Sequence, residues 1–186
     1  MPAAAQGRAS ARTMAAPTDR EGYSLSLGLG GASAGVSCSG CGTDRQNGAS
    51  GYLRVGKGFS QTLMMGVELN GWNKTENNAT ARNTMVSAVA QWYPSATNGF
   101  FTKFGAGIGR MSVEDKSVTP TDKLQSTGFG YQFGLGYDIG IASRWSITPY
   151  ANYLSTAGAK AQFNGVDTGS KMDGNYMQYG LGLSWH

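Results

Sequence analysis

A two-residue alternation of apolar with polar or glycine residues recurs in eight separate segments of this chain, which few folds can accommodate. The segments run over about 23–30, 50–59, 62–72, 84–93, 99–110, 127–138, 145–154 and 174–185. Most reach the roughly 9–11 residues that a tilted strand needs to cross a bilayer. The intervening stretches alternate in length. Long ones cover 31–49, 73–83, 111–126 and 155–173; short ones are Ser60-Gln61, Pro94 to Asn98 and Gly140 to Arg144. Long external loops and tight internal turns in strict alternation are the layout of an up-and-down barrel in an outer membrane.

Each segment has two distinct faces. In 23–30, Tyr23, Leu25, Leu27 and Leu29 oppose Ser24, Ser26, Gly28 and Gly30. In 127–138, Phe129, Tyr131, Phe133, Leu135 and Tyr137 oppose glycines, Gln132 and Asp138. A soluble barrel would alternate too, with its apolar face inward. Glycine decides against that arrangement. The chain holds 29 glycines among 186 residues, crowded on the polar face, where they would weaken a solvated strand. Inside a narrow barrel the same glycines leave room for large polar side chains. Aromatic residues on the apolar face also gather near the short turns: Phe59, Trp92, Phe100, Tyr137, Trp145 and Trp185. That is the pattern of an interfacial girdle. Lys57 and Arg110 are misfits on this face, each near a strand end where a long side chain can reach the interface.

The fold expected is therefore all-β: an eight-stranded antiparallel up-and-down transmembrane β-barrel over 22–186. A flexible segment, 1–21, precedes it as a signal remnant or linker, and Pro2-Ala3-Ala4-Ala5-Gln6 in it has the look of a cleavage region. The net charge of +4 comes without a basic, aromatic-interleaved cluster, which argues against nucleic acid as a partner.

The pattern resembles the small outer-membrane barrels of the OmpX, OmpW and OmpA type, over about 22–186. The resemblance is carried by Ser50-Gly51-Tyr52-Leu53-Arg54-Val55-Gly56, by Gly66-Val67-Glu68-Leu69-Asn70-Gly71-Trp72 and by the final Tyr179-Gly180-Leu181-Gly182-Leu183-Ser184-Trp185-His186. It implies a bacterial outer-membrane location. It does not choose among the roles this fold hosts: structural or surface-interaction proteins acting through external loops, narrow channels for small apolar molecules, and lipid-modifying enzymes.

Several residues stand out for their chemistry. Arg54 and Glu68 face inward at nearly equal height about the Ser60-Gln61 turn, so they are expected to pair. Lys103, Asp138, Gln91 and Gln132 share the inward face, with Asn152 and Gln178 as companions. Together they read as a polar network plugging the lumen, or as an electrostatic gate. Cys38 and Cys41, in the first external loop, are expected to form a disulfide in an oxidising envelope. Two cysteines cannot complete a zinc site, and the single histidine, His186, lies at the other end, so no metal and no cofactor is expected. The same placement leaves no base for a serine nucleophile at the outer rim, and no enzymatic activity is expected. Glu114, Asp115, Asp122 and Asp167 are scattered loop carboxylates, and the triplets Asn73-Lys74-Thr75 and Asn78-Ala79-Thr80 are taken as chance matches to a glycosylation acceptor. Gln178, Gly180, Leu183 and Trp185 resemble a terminal assembly signal, polar, glycine, hydrophobic, aromatic. Partners expected are outer-membrane lipid, lipopolysaccharide and the barrel-assembly machinery.

Overall fold

The computed structural model describes residues 19–37, 45–117 and 122–186. Among the described residues are ten strands: β1 (Gly22–Ser37), β2 (Gln46–Ser60), β3 (Leu63–Glu76), β4 (Ala79–Trp92), β5 (Phe100–Asp115), β6 (Asp122–Tyr137), β7 (Ile139–Gly140), β8 (Trp145–Phe163), β9 (Val166–Lys171) and β10 (Asp173–Trp185). Eight of them are staves. β1 to β6, β8 and β10 pair antiparallel in order, and β10 closes on β1 from Leu25↔Trp185 to Ser37↔Asp173. Closure leaves none of the eight staves with an open edge, as lipid demands of any sheet that crosses it. β7 is a two-residue bridge onto β8, and β9 folds back on the external end of β8.

The register fixes the barrel's shape. Partners followed from Leu25 through Val55, Val67, Ala88, Ala106, Tyr131, Ser155 and Asn175 lead back to β1 at Gly35, ten residues further along. Eight strands with a shear of ten tilt by about 40° from the axis. Each residue then climbs about 2.5 Å along the axis.

Burial runs opposite to that of a soluble protein. Leu25, Leu27, Leu29, Val55, Val67, Phe104, Ile108, Phe129 and Leu181 are exposed on the outer wall. Ser26, Arg54, Glu68, Asn70, Gln91, Lys103, Gln132 and Asn152 are buried inside. Glycine opens the interior as the alternation implies. The Tyr52 and Tyr150 rings meet edge to face, 4.9 Å between centroids, and a Cβ at Gly28 would collide with both.

The strands are longer than the alternation suggests. Residues 31–37, 46–49, 73–76, 79–83, 111–115, 122–126, 155–163 and 166–171, read from sequence as loop, are strand. The physical reason is that apolar outward residues mark only the lipid-facing part. Above it the backbone ladder continues with Asn73, Thr75, Arg82 and Lys160 outward. The β3–β4 connection is thereby reduced to Asn77-Asn78, with Asn77 at a positive φ of 52°. The first tight turn also shifts by one residue, to Gln61-Thr62. Ser60 stays in β2 opposite Leu63, and its Oγ accepts from the backbone N–H of Thr62 and Leu63 at 3.2 and 3.1 Å. Likewise Gly140, expected in a turn, belongs to β7, which narrows that turn to 141–144.

Candidate functional site

The lumen is filled in layers. At mid-height, β2 and β3 place Arg54 directly opposite Glu68. Arg54 Nη1 lies 3.5 Å from Glu68 Oε2, and Nη2 donates to Ser26 Oγ at 2.9 Å. The shorter contact to the carboxylate comes from Lys103 on β5. Its Nζ donates to Glu68 Oε1 at 2.6 Å and to Oε2 at 2.8 Å. Asn70 Nδ2 donates to Glu68 Oε1 at 2.9 Å, and Gln132 Nε2 donates to Ser87 Oγ at 2.6 Å. All three ionised side chains are at most 4% exposed. A carboxylate enclosed with two cations and an amide donor has its oxygens occupied, which is the condition for burying such charge.

Gln91 and Asp138 belong to a second layer, nearer the turns. Tyr93 OH donates to Asp138 Oδ2 at 2.7 Å, Thr148 Oγ1 donates to Asp138 Oδ1 at 2.6 Å, and Gln91 Nε2 donates to Tyr93 OH at 3.0 Å. His186 Nε2 stands 3.6 Å from Asp138 Oδ2, and the His186 backbone N–H donates to Arg144 O at 2.9 Å. Asn152 and Gln178 pair on their own, Nδ2 to Oε1 at 3.1 Å.

Arg20 completes this end. The sequence assigns it to the segment ahead of the barrel, yet its side chain is wholly buried under the turns. Its guanidinium donates to Gln61 O and Ala96 O at 3.1 Å each and to Asn98 O at 2.7 Å, and it lies 4.0 Å from the Tyr93 ring centroid. Arg20, Tyr93 and Lys103's contact with Glu68 were not read from sequence. Arg20 sits on irregular backbone, where no period marks an inward position. Lys103 reaches Glu68 across the lumen from a strand not adjacent to β3, and that meeting depends on shear.

The external end is different. Above the charged layer lie buried Met85, Leu154, Tyr176, Trp72 and Ala32. Over them opens a cavity of about 520 Å³, lined by Trp72, Asn83, Met111, Val113, Lys74 and Glu76 among others. At the rim Lys74 and Glu76 pair at 2.6 Å, and Lys123 and Glu114 at 2.9 Å. The hydrogen bond from Lys123, with its charge, holds the Glu114 carboxyl below its ordinary value of 4.5.

Phe59, Trp92, Phe100, Tyr137, Trp145 and Trp185 all stand on the outer wall toward the turns; Trp185 is the least exposed, with the Arg144 guanidinium 5.8 Å from its ring centroid. Lys57 is exposed among Tyr23 and Phe59, about 6 Å from each ring. On β10, Gln178 faces inward, Gly180 pairs with Gly30 of β1, and Leu183 and Trp185 face outward. Cys38 and Cys41 lie outside the described residues. Among the described residues no three His, Cys, Asp or Glu side chains converge as metal ligands would.

The architecture recurs among solved structures. Ail, the attachment invasion locus protein of Yersinia pestis, in complex with the heparin analogue sucrose octasulfate, is similar with a TM-score of 0.62 and 15% identity, covering 89% of this chain and 99% of Ail. Neisserial surface protein A is similar with a TM-score of 0.56 and 14% identity, over 89% of this chain and 97% of that one. The outer membrane protein OprG of Pseudomonas aeruginosa gives 0.52 and 15%, over 91% and 99%. At such identities the likeness shows the fold alone. No curated protein matches the sequence. A family model, the outer membrane protein β-barrel domain, matches residues 1–186. The chain thus belongs to the outer membrane protein β-barrel domain family and resides in the bacterial outer membrane.

Proposed function

We propose that this protein is a sealed barrel with a structural and surface-interaction role, in which the external end does the recognising. The observation that carries this reading is the Arg54–Glu68–Lys103 layer, which spans the lumen with almost no exposure. An ion or solute would have to break charge-assisted hydrogen bonds to pass, at several kcal/mol for the group left unpaired. The same layer argues against a narrow channel for small apolar molecules, which requires an uncharged path. Catalysis has no place in the reading, because His186 is buried at the turn end, away from the external rim.

What the barrel offers outward is a mouth raised on long hairpins, with mixed charge and an amphipathic cavity. Proteins of this shape include a surface protein and one seen with a sulfated sugar, which fits recognition at the exposed end. The test uses cells displaying the intact barrel and cells displaying a variant with 162–169 replaced by a tight turn. Adherence is measured on surfaces coated with a sulfated glycan or with a matrix protein. Adherence that is lost in the variant, with barrel levels unchanged, is the expected result. Equal adherence of both, or of cells without the protein, would overturn the reading.

A further inference from the structure

Two adjoining shallow hollows, of about 250 and 380 Å³, lie on the outer wall across β1 to β4 and share Leu29, Gly51, Gly71 and Thr84. Gly51 and Gly71 are registered partners that both face outward, so the floor is bare backbone. Leu27, Leu29, Leu53 and Leu69 wall the lower hollow, and Arg82 borders the upper one. A groove of this make, on a wall otherwise studded with large apolar side chains, has the lining to seat a hydrocarbon chain.

Height supplies the second observation. Arg82 and Arg110 each stand ten residues above the aromatic that ends or begins their strand, Trp92 and Phe100. Ten residues correspond to about 25 Å along the axis, the height of a barrel's apolar band. The glycine floor, eight residues above Phe59 and Trp92, lies about 5 Å lower, within the acyl region.

Arg82 and Arg110 are also close to one another. Thr84 is the registered partner of Arg110, which makes the two arginines diagonal neighbours on one face, about 7–8 Å apart. Two cations so placed repel unless an anion lies between them. The nearby carboxylate, Glu114, feels the charge of Arg82 but is bonded to Lys123 at 2.9 Å, and it lies on the far side of Arg82 from Arg110, so it does not come between the two arginines. Arg110 donates to Gln125 Oε1 with one of its guanidinium nitrogens and keeps further donors. Arg82 is exposed and has no hydrogen-bonded partner among the described residues. A phosphate monoester is an anion two guanidinium forks can share.

We infer that the outer wall holds one phosphorylated, acylated lipid of the external leaflet, of the lipid A class, with a phosphate on Arg82 and Arg110 and an acyl chain laid over Gly51 and Gly71. This site is independent of whether the lumen is sealed.

Native mass spectrometry of the full chain in detergent, titrated with lipid A or with dephosphorylated lipid A, tests it. The wild type should bind one lipid A, and the dephosphorylated lipid about tenfold or more weakly, the loss expected for charge-assisted contacts. Arg82→Gln with Arg110→Gln should bring lipid A down to the dephosphorylated level and leave the latter unchanged. Gly71→Leu should weaken both lipids. It is a gentle change, since a Cβ there meets nothing within 4 Å. Each variant's heat-dependent gel shift, a measure of barrel folding, should match the wild type. Equal binding of the two lipids, or full lipid A binding by the double variant, would overturn the phosphate assignment. Undiminished binding by Gly71→Leu would overturn the groove.

Discussion

At the scale of single residues, Glu68 is the pivot of the interior. Its two oxygens answer Lys103, Arg54 and Asn70 at once. Glu68→Ala would leave two buried cations facing each other, and should cost about 3–5 kcal/mol of unfolding free energy. Urea unfolding in micelles reads this directly. Double-mutant cycles should then give a larger coupling for Lys103 with Glu68 than for Arg54 with Glu68, since the contacts are 2.6 and 3.5 Å. Additive single effects in both cycles would mean that the layer is not an ion-pair network. The Arg54–Glu68 pairing was legible in the sequence because β2 and β3 are consecutive and a tight turn fixes their register. The lysine was visible only as an inward residue. Which carboxylate it meets is set by how far the barrel shears, a property of all eight strands together.

At the scale of elements, the approach to β1 and the last strand are held in different ways. Asp19 and Arg20 fold under the turns, whereas β10 is the seam that closes the sheet. β10 has to pair with β1 to close the sheet, and we propose that an assembly machine engages this edge by strand addition before closure. Gln178, Gly180, Leu183 and Trp185 supply the residue types for that reading, with inward and outward parity as their positions require. Trp185→Ala, or deletion of 183–186, should reduce insertion and leave protease-sensitive chain in the periplasm. Normal surface levels of the deletion variant would contradict the assignment. Strand identity was legible wherever apolar residues alternate outward, as in Leu25, Leu27 and Leu29. Strand length was not, because above the lipid the outward positions are polar and only the hydrogen-bonded ladder carries on. The turn bounds at Ser60 and Gly140 also depend on local hydrogen bonds, which the period does not encode.

At the scale of the whole molecule, the barrel separates two environments. Its outer wall is predominantly apolar from the turn-end aromatics up to Arg82 and Arg110, with Lys57 among the aromatics at the lower border. Its interior is polar at mid-height, hydrogen-bonded at the turn end around Asp138, and capped there by Arg20. With eight strands the interior is only wide enough for such side chains, and on the proposed reading no conducting path crosses the protein. Single-channel recording in planar lipid bilayers tests this most directly. The wild type should give no current steps, and a variant with Arg20, Arg54, Glu68 and Lys103 all replaced by Ser, provided it folds, should give them. Well-defined current steps from the wild type barrel would show that the lumen is open.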